Sequence, residues 1–302
     1  LSFITFPIIA RALQPEVYGE WSLSRVVLSY VGFFVTFGFI NYGIREIAAK
    51  PNENDKIVNQ ILSVRIFVVF ISILISIPII YFLYNDNNRL MLAIFAGFIL
   101  PIANAIKLDF FYFGISDVIL PSIADIIGQL IYVILIFFLI NDHEDIILVS
   151  LLFGTASLVS SIFMIIKYYK DKQKIVFTFS LKIFLELFRN IKNIGFSTKL
   201  EFIQMSLPPI FISIILSNYA LGLYSAAYKL FGLYVMFLGQ VMIILAPYLT
   251  KLKNMDRTKS INYSIQFILL SFFFGALIGI TFFFLTEEII LLILGDGFRE
   301  SI

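Results

Sequence analysis

Lys229 is the only charge between two long apolar runs. Phe202–Tyr228 is 27 residues without a charged residue, and Leu230–Thr250 is another 21. Arg25 directly precedes the charge-free run Val26–Ile44, and Arg65 precedes Ile66–Asn85. Lys107 and Lys199 stand at the ends of apolar stretches, and Asp109, Asp125 and Glu201 are the nearby carboxylates. A charge at membrane depth costs about 2.5–3.5 kcal/mol on insertion scales, so it marks a function or a pairing by default. Cations in a low-dielectric cavity offer charge-assisted hydrogen bonds to an anion, and phosphate suits them well. Arg25, Arg65, Lys199 and Lys229 are the expected binding set. Two bland readings stand beside it: Arg65 pairing with Asp125 as a structural ion pair, and Lys107 and Lys199 snorkelling to the interface.

Other chemistries lack their residues. There is no cysteine and one histidine, His143. That removes disulfides, thiol catalysis, Cys-ligated zinc and histidine metal clusters. A membrane-surface enzyme would need carboxylates or a histidine base. The one candidate cluster, Asp142-His143-Glu144-Asp145, reads as a solvated acidic turn. No catalytic residue and no metal are expected. Net charge is +2, with no basic segment of interleaved aromatics, so no nucleic acid is expected either.

The elements that hold these charges are apolar helices. The chain is 60% hydrophobic and 14% charged, against about 25% charged in globular domains. A spanning helix needs about 20 apolar residues. Nine spans are expected: 1–13, 19–42, 60–84, 89–111, 118–140, 146–168, 196–217, 220–249 and 260–286. The period-two alternation of a barrel is absent. Lys and Arg concentrate in the loops after spans two, four, six and eight, whereas the other loops carry only Arg11 and Arg89. By the positive-inside rule the even loops and the N-terminus are cytoplasmic. Within the long basic loop 169–195, Leu181, Phe184, Leu185, Phe188 and Ile191 share a helical face. That pattern suits either an amphipathic helix on the membrane surface or one docked on the protein.

An internal repeat organises the spans. Val17-Tyr18-Gly19-Glu20-Trp21-Ser22 resembles Ala220-Leu221-Gly222-Leu223-Tyr224-Ser225 at an offset of 203 residues. The same offset lays spans two and three over spans eight and nine, and makes Arg25 and Lys229 near-equivalents. An even number of spans per repeat preserves orientation, so the repeats are parallel, as in secondary transporters. The expected organisation is an N-terminal lobe at 1–168 with an incomplete first span, a cytoplasmic basic linker at 169–195, and the start of a C-terminal lobe at 196–302. The repeat predicts a complete protein of roughly 400 residues or more, by doubling.

IARALQPEVYGEWSL at 9–23, FGFINYGIREIA at 37–48 and LGLYSAAYKL at 221–230 resemble Wzx-type polysaccharide flippases. These belong to the multidrug/oligosaccharidyl-lipid/polysaccharide exporter superfamily. The resemblance implies an all-α membrane protein with two parallel six-helix lobes around a central cavity, here truncated to about nine spans. It implies transfer of undecaprenyl-pyrophosphate-linked oligosaccharide, such as O-antigen or capsule units, from the inner to the outer leaflet of a bacterial cytoplasmic membrane. A polysaccharide polymerase is a partner consistent with it. No cofactor is implied. Coupling to a proton or sodium gradient fits, with Asp125 or Glu201 as carrier. Two alternatives stand beside it: a drug antiporter of the same superfamily, whose cationic substrates favour carboxylates over Arg and Lys, and a membrane transferase.

Overall fold

The computed structural model describes residues 2–171, 174–177, 179–232, 235–236 and 257–301, without the side chains of 2, 197–199, 201 and 257–260. The described residues are all helical or irregular, with no strand. Eleven α-helices occur among them: α1 Ser2–Val31, α2 Phe39–Ala49, α3 Asn54–Tyr84, α4 Asn88–Ala96, α5 Ile99–Ile106, α6 Asp109–Gly114, α7 Ile119–Leu139, α8 Ile146–Lys170, α9 Leu181–Ile215, α10 at 218–232, and α11 Arg257–Leu294. They fall into two units, Leu1–Gly222 and Leu223–Ile302.

Among the described residues, five stretches are long and apolar enough to cross a membrane: Pro51–Tyr84, Asn88–Gly114, Ile119–Leu139, His143–Lys170 and Ile261–Leu294. Phe202–Ile215 in α9 is a shorter apolar segment. Phe70, Phe82, Phe138 and Phe283 are more than 60% exposed. Water would not tolerate so wide an apolar surface on a soluble monomer, and hydrocarbon does. The chain is a membrane protein.

α1 is two helices joined at one residue. Gln14 has φ 59° and ψ 166°, a left-handed φ uncommon outside glycine. Pro15 explains the break: it disfavours helical geometry in the residue before it and is tolerated in a first turn because it needs no N–H partner. The Gln14 side chain donates to Arg11 O at 2.7 Å and so serves an end carbonyl of the first piece. The expected turn between spans one and two is thus a one-residue corner.

Two expected spans are not continuous. The second, 19–42, leaves helix after Val31, turns through 32–38, and resumes as α2. Gly38 at φ 70° lets the chain turn. The fourth, 89–111, is three helices, α4 to α6, broken at 97–98 and 107–108. The spaces between helices are set by small residues. A Cβ on Gly128 of α7 would collide with Ala156 O of α8, and one on Gly154 would meet Ile99 Cγ2 at 2.7 Å and Leu100 N at 2.8 Å. Close backbone approach of this kind is how helices associate where lipid offers no hydrophobic drive.

The basic loop helix is the beginning of α9, which continues without a break to Ile215. Leu187 and Ile191 are buried in a core that includes Phe37, Ile47, Ile61 and Phe110. That face is docked on the protein, while Leu181 and Leu185 stay exposed.

The two glycines aligned by the repeat meet each other. A Cβ on Gly19 would collide with Asn218 O, and one on Gly222 would collide with Pro15 O. Pro15 and Asn218 are themselves related by the offset of 203 residues. Each segment therefore presents the same two positions to the other.

In the second unit, α11 bends at Leu285 (φ −118°, ψ 19°). It ends at Gly295, whose φ of 87° and N–H bonds to Ile290 O and Leu291 O close the last turn as a left-handed cap. Arg299 then folds back to pair with Glu287.

Candidate functional site

Arg25 lies ten residues into the second piece of α1, about 15 Å along its axis at 1.5 Å per residue. Glu20, five residues before it, is paired with Arg89 of the expected outer turn, so Arg25 lies about 7–8 Å further along the helix from that contact. Its guanidinium carbon sits 4.9 Å from the centroid of Trp21 and 4.8 Å from that of Phe153. Trp21 is one turn back on α1, and Phe153 comes from α8. The two rings meet edge-on at 6.1 Å, and Tyr18 and Tyr132 extend the cluster at 5.5 and 6.2 Å. Each ring face attracts a cation by about 0.5–2 kcal/mol, which offsets much of the insertion cost. No carboxylate pairs with Arg25 among the described residues. Its Nε and the Nε1 of Trp21 are buried donors without a protein acceptor. Unmet buried donors are rare in native proteins. Two in one cluster, one of them cationic, suit an acceptor that is negatively charged.

Arg65 is held differently. It is 1% exposed. Nη1 donates to Lys107 O at 3.0 Å, and Nη2 donates to Asn104 O. These are carbonyls of the last turn of α5, where the helix carries partial negative charge and lacks internal partners. The broken fourth span is therefore capped by a cation from α3. Phe110 stands beside it, 5.7 Å from the guanidinium carbon.

The pairing expected between Arg65 and Asp125 is not made. Lys107 Nζ takes Asp125 Oδ1 at 2.7 Å, and Ser160 Oγ donates to the same oxygen at 2.6 Å. Lys107 thus links both site candidates, Arg65 through its carbonyl and Asp125 through its ammonium, and is not merely snorkelling. Ser157 bonds Asn104 Oδ1 at 2.9 Å, and Ser161 bonds Ala103 O at 2.9 Å. Serines of α8 so fasten α5 and α7.

Lys229 lies on α10 in the second unit and is partly buried. The side chains of Lys199 and Glu201 lie outside the described residues, as do the basic loop 251–256 and most of 233–249.

A further polar cluster was not anticipated from the sequence. Glu20, 2% exposed, receives Arg89 Nε at 2.8 Å and Nη2 at 3.0 Å, and Asn87 Nδ2 at 2.7 Å. This clasp ties α1 to the turn between α3 and α4. The signal was present: Arg89 is one of only two expected outer-loop cations, and Glu20 opens an apolar span. The acidic turn at 142–145 is a capping box, with Asp145 accepting from the backbone of Asn141 and Asp142. Its exposed carboxylates serve the turn, and no metal-holding group of three occurs among the described residues. On α2, the Lys50 ammonium bonded to Glu46 at 2.8 Å holds that carboxyl below its ordinary value, against a smaller opposing push from burial.

The chain is 25% identical over 165 residues to the "Putative O-antigen transporter" of Escherichia coli (strain K12). That match covers 54% of this chain and 40% of the relative's length. No solved structure matches the chain. The family model described as polysaccharide biosynthesis protein matches residues 1–253. Read with the helical membrane architecture, that match assigns the chain to the polysaccharide biosynthesis protein family.

Proposed function

We propose that this chain is part of a flippase. It moves undecaprenyl-pyrophosphate-linked oligosaccharide repeat units from the inner to the outer leaflet of a bacterial cytoplasmic membrane. The work is transport, not covalent chemistry. The architecture of the proposal is two parallel six-helix lobes, with 1–168 as the first, 169–195 as a cytoplasmic linker, and 196–302 opening the second. The reciprocal contact of Gly19 and Gly222 supports repeats related by a two-fold axis, because such copies meet in that self-complementary way; the even number of spans per repeat is what makes them parallel. Family membership and the similarity to the Escherichia coli relative support the polysaccharide pathway.

The observation that carries the reading is Arg25 with Trp21: a guanidinium among apolar helices, steadied by ring faces, with its Nε and the Trp21 Nε1 meeting no protein acceptor. Arg25 meets the pyrophosphate, and Lys229 and Lys199 add charge along its route. Arg65 is the positioning member of the set, holding the α5 end that carries Lys107. Asp125, tied to Lys107, is the carrier for coupling to a proton or sodium gradient, with Glu201 as the second candidate. The aromatic cluster also bears on the antiporter alternative. An aromatic cage that already holds an arginine repels a cationic drug, so the anionic substrate is preferred.

The test is complementation. Full-length protein is produced in a bacterium lacking its own flippase but supplied with the native glycan pathway, and surface polymer is measured. Restored polymer that is lost in Arg25→Gln at equal protein level supports the reading. A correctly inserted protein that restores none overturns it.

A further inference from the structure

The chain between α8 and α9 runs beside α3 and is fastened to it at two points. Asn59, in the second turn of α3, is 7% exposed. Its Nδ2 donates to Lys174 O at 3.0 Å, and its Oδ1 accepts from Val176 N at 2.9 Å. A side-chain amide has one carbonyl and one amino group. Here both serve the backbone on either side of Ile175, as a neighbouring strand would. Eight residues further along α3, the Phe67 ring stacks on Phe179 at 4.2 Å and 28°, and meets Phe184 edge-on at 6.3 Å. Eight helical residues rise about 12 Å, and the four from Ile175 to Phe179 cover about 13–14 Å when extended. A nearly extended course therefore links the two anchors.

The strap also packs. Ile175, Phe179, Ile183 and Phe184 lie against the core that holds Val58 and Leu62 of α3, whereas Lys174 and Val176, on either side of Ile175, are exposed. Ser180 Oγ then accepts from Ile183 N at 3.2 Å and caps α9, and Leu187 and Ile191 continue the docking. At the other end, Tyr168 Oη donates to Asp55 Oδ1 at 2.7 Å and holds the last turn of α8 against the start of α3.

We infer that Asn59 is a positioning residue: it clasps the strap to α3, and the strap sets where α9 lies. By sequence, 169–195 is a linker between halves, and a linker that swivels has its backbone bonded to water. Here the part from Lys174 onward is held by hydrogen bonds and stacked rings, so it moves with α3. α9 is unbroken from Leu181 to Ile215, and Lys199 and Glu201 ride on it. The clasp thus acts on two of the proposed site residues through one continuous helix, without touching the transported molecule. The effect on Lys199 and Glu201 rests on the proposed function; the clasp itself does not.

The experiment uses inverted membrane vesicles that hold the full-length protein with its cytoplasmic face outward. Trypsin cleavage after Lys174 is followed by mass spectrometry, and transport of lipid-linked oligosaccharide into the vesicles is measured beside it. Asn59→Ala removes both bonds, and cleavage is expected about thirtyfold faster, because proteolysis follows the population of the open strap. Val176→Pro removes one bond at an exposed residue, and about fivefold is expected. Transport is expected to fall in the same order at equal protein level. This chain has no cysteine, so a Phe67→Cys, Phe179→Cys pair can be bridged by a reversible bis-thiosulfonate reagent. Added to Asn59→Ala, the bridge is expected to restore protease resistance and transport, and a reductant to remove both again. If Asn59→Ala does not fold, Val176→Pro carries both readouts. Equal cleavage in the parent and the variants would overturn the clasp. Unchanged transport in Val176→Pro with its strap freed would overturn the positioning role. So would a bridge that stops transport when Asn59 is intact, because the strap would then have to leave α3. A parent protein that transports nothing refutes the proposed function instead, and the cleavage rates still decide the clasp.

Discussion

Arg25 and Arg65 are the same residue type, each at the head of a charge-free apolar run and both in the first unit. They have opposite fates. Arg65 spends its terminal nitrogens on the backbone at the end of α5 and is sealed from outside, although its Nε, like that of Arg25, meets no protein acceptor. Arg25 meets two ring faces, which attract its charge but accept none of its conventional hydrogen bonds. A membrane arginine is thus defined less by depth than by what its N–H groups are bonded to. Carbonyl partners make it part of the scaffold. Aromatic partners hold it in place and leave it available.

The largest expected effect is on the scaffold side. Arg65→Met leaves two α5 carbonyls without a donor, and stability should fall by about 3 kcal/mol. A thermal unfolding scan in detergent reads this. Export should drop only as far as the amount of folded protein drops. A stable Arg65→Met protein with no export would erase the contrast between the two arginines.

Next is Arg25→Gln. Loss of about two charge-assisted bonds to the substrate predicts about a 100-fold fall in export rate, with the melting temperature nearly unchanged. Arg25→Lys keeps the charge but not the planar fork, and should be milder, about tenfold. Polymer at the cell surface, normalised to protein level, measures both. If Arg25→Gln unfolds the protein as Arg65→Met does, Arg25 is scaffold too.

Lys107→Met separates the two halves of the Arg65 network. The Arg65 bond to the Lys107 carbonyl survives, but Asp125 loses its ammonium. A stability change of about 1 kcal/mol is expected, with a larger effect on the pH dependence of export. No change in that pH profile would remove Asp125 from the coupling proposal.

The smallest effect is at Glu46. Its folded-state pKa is lowered. The stability it contributes is therefore present above its unfolded value of about 4.3 and is lost as pH falls through the lower folded value. Glu46→Gln should remove that small share of the acid-limb slope. Urea midpoints between neutral and acidic pH would detect it.

Much of the helix series was legible because 20-residue apolar runs can hardly be anything else in a chain this poor in charge. Arg25 was legible by contrast with its neighbours. Its aromatic setting was only half legible: Trp21 is one turn away in sequence, but Phe153 and Tyr132 arrive from other helices. The breaks at 32–38, 97–98 and 107–108 were not legible. A helix in lipid can be interrupted only where its freed carbonyls find donors, and at 107 the donor, Arg65, is 42 residues away. For the same reason Asp125 was matched with the wrong cation. Composition tells that a carboxylate in an apolar span needs a partner but not which one arrives.

The pair Gly19 and Gly222 has a consequence for ancestry. In their contact each segment offers a glycine and receives a carbonyl from the other. Two separate copies of a single half-length chain could make the same contact with each other across a two-fold axis. Fusing such a pair end to end would require a linker but no new surface. A side chain at either position strikes the opposite backbone, so neither half can accept a larger residue there while the other keeps its place.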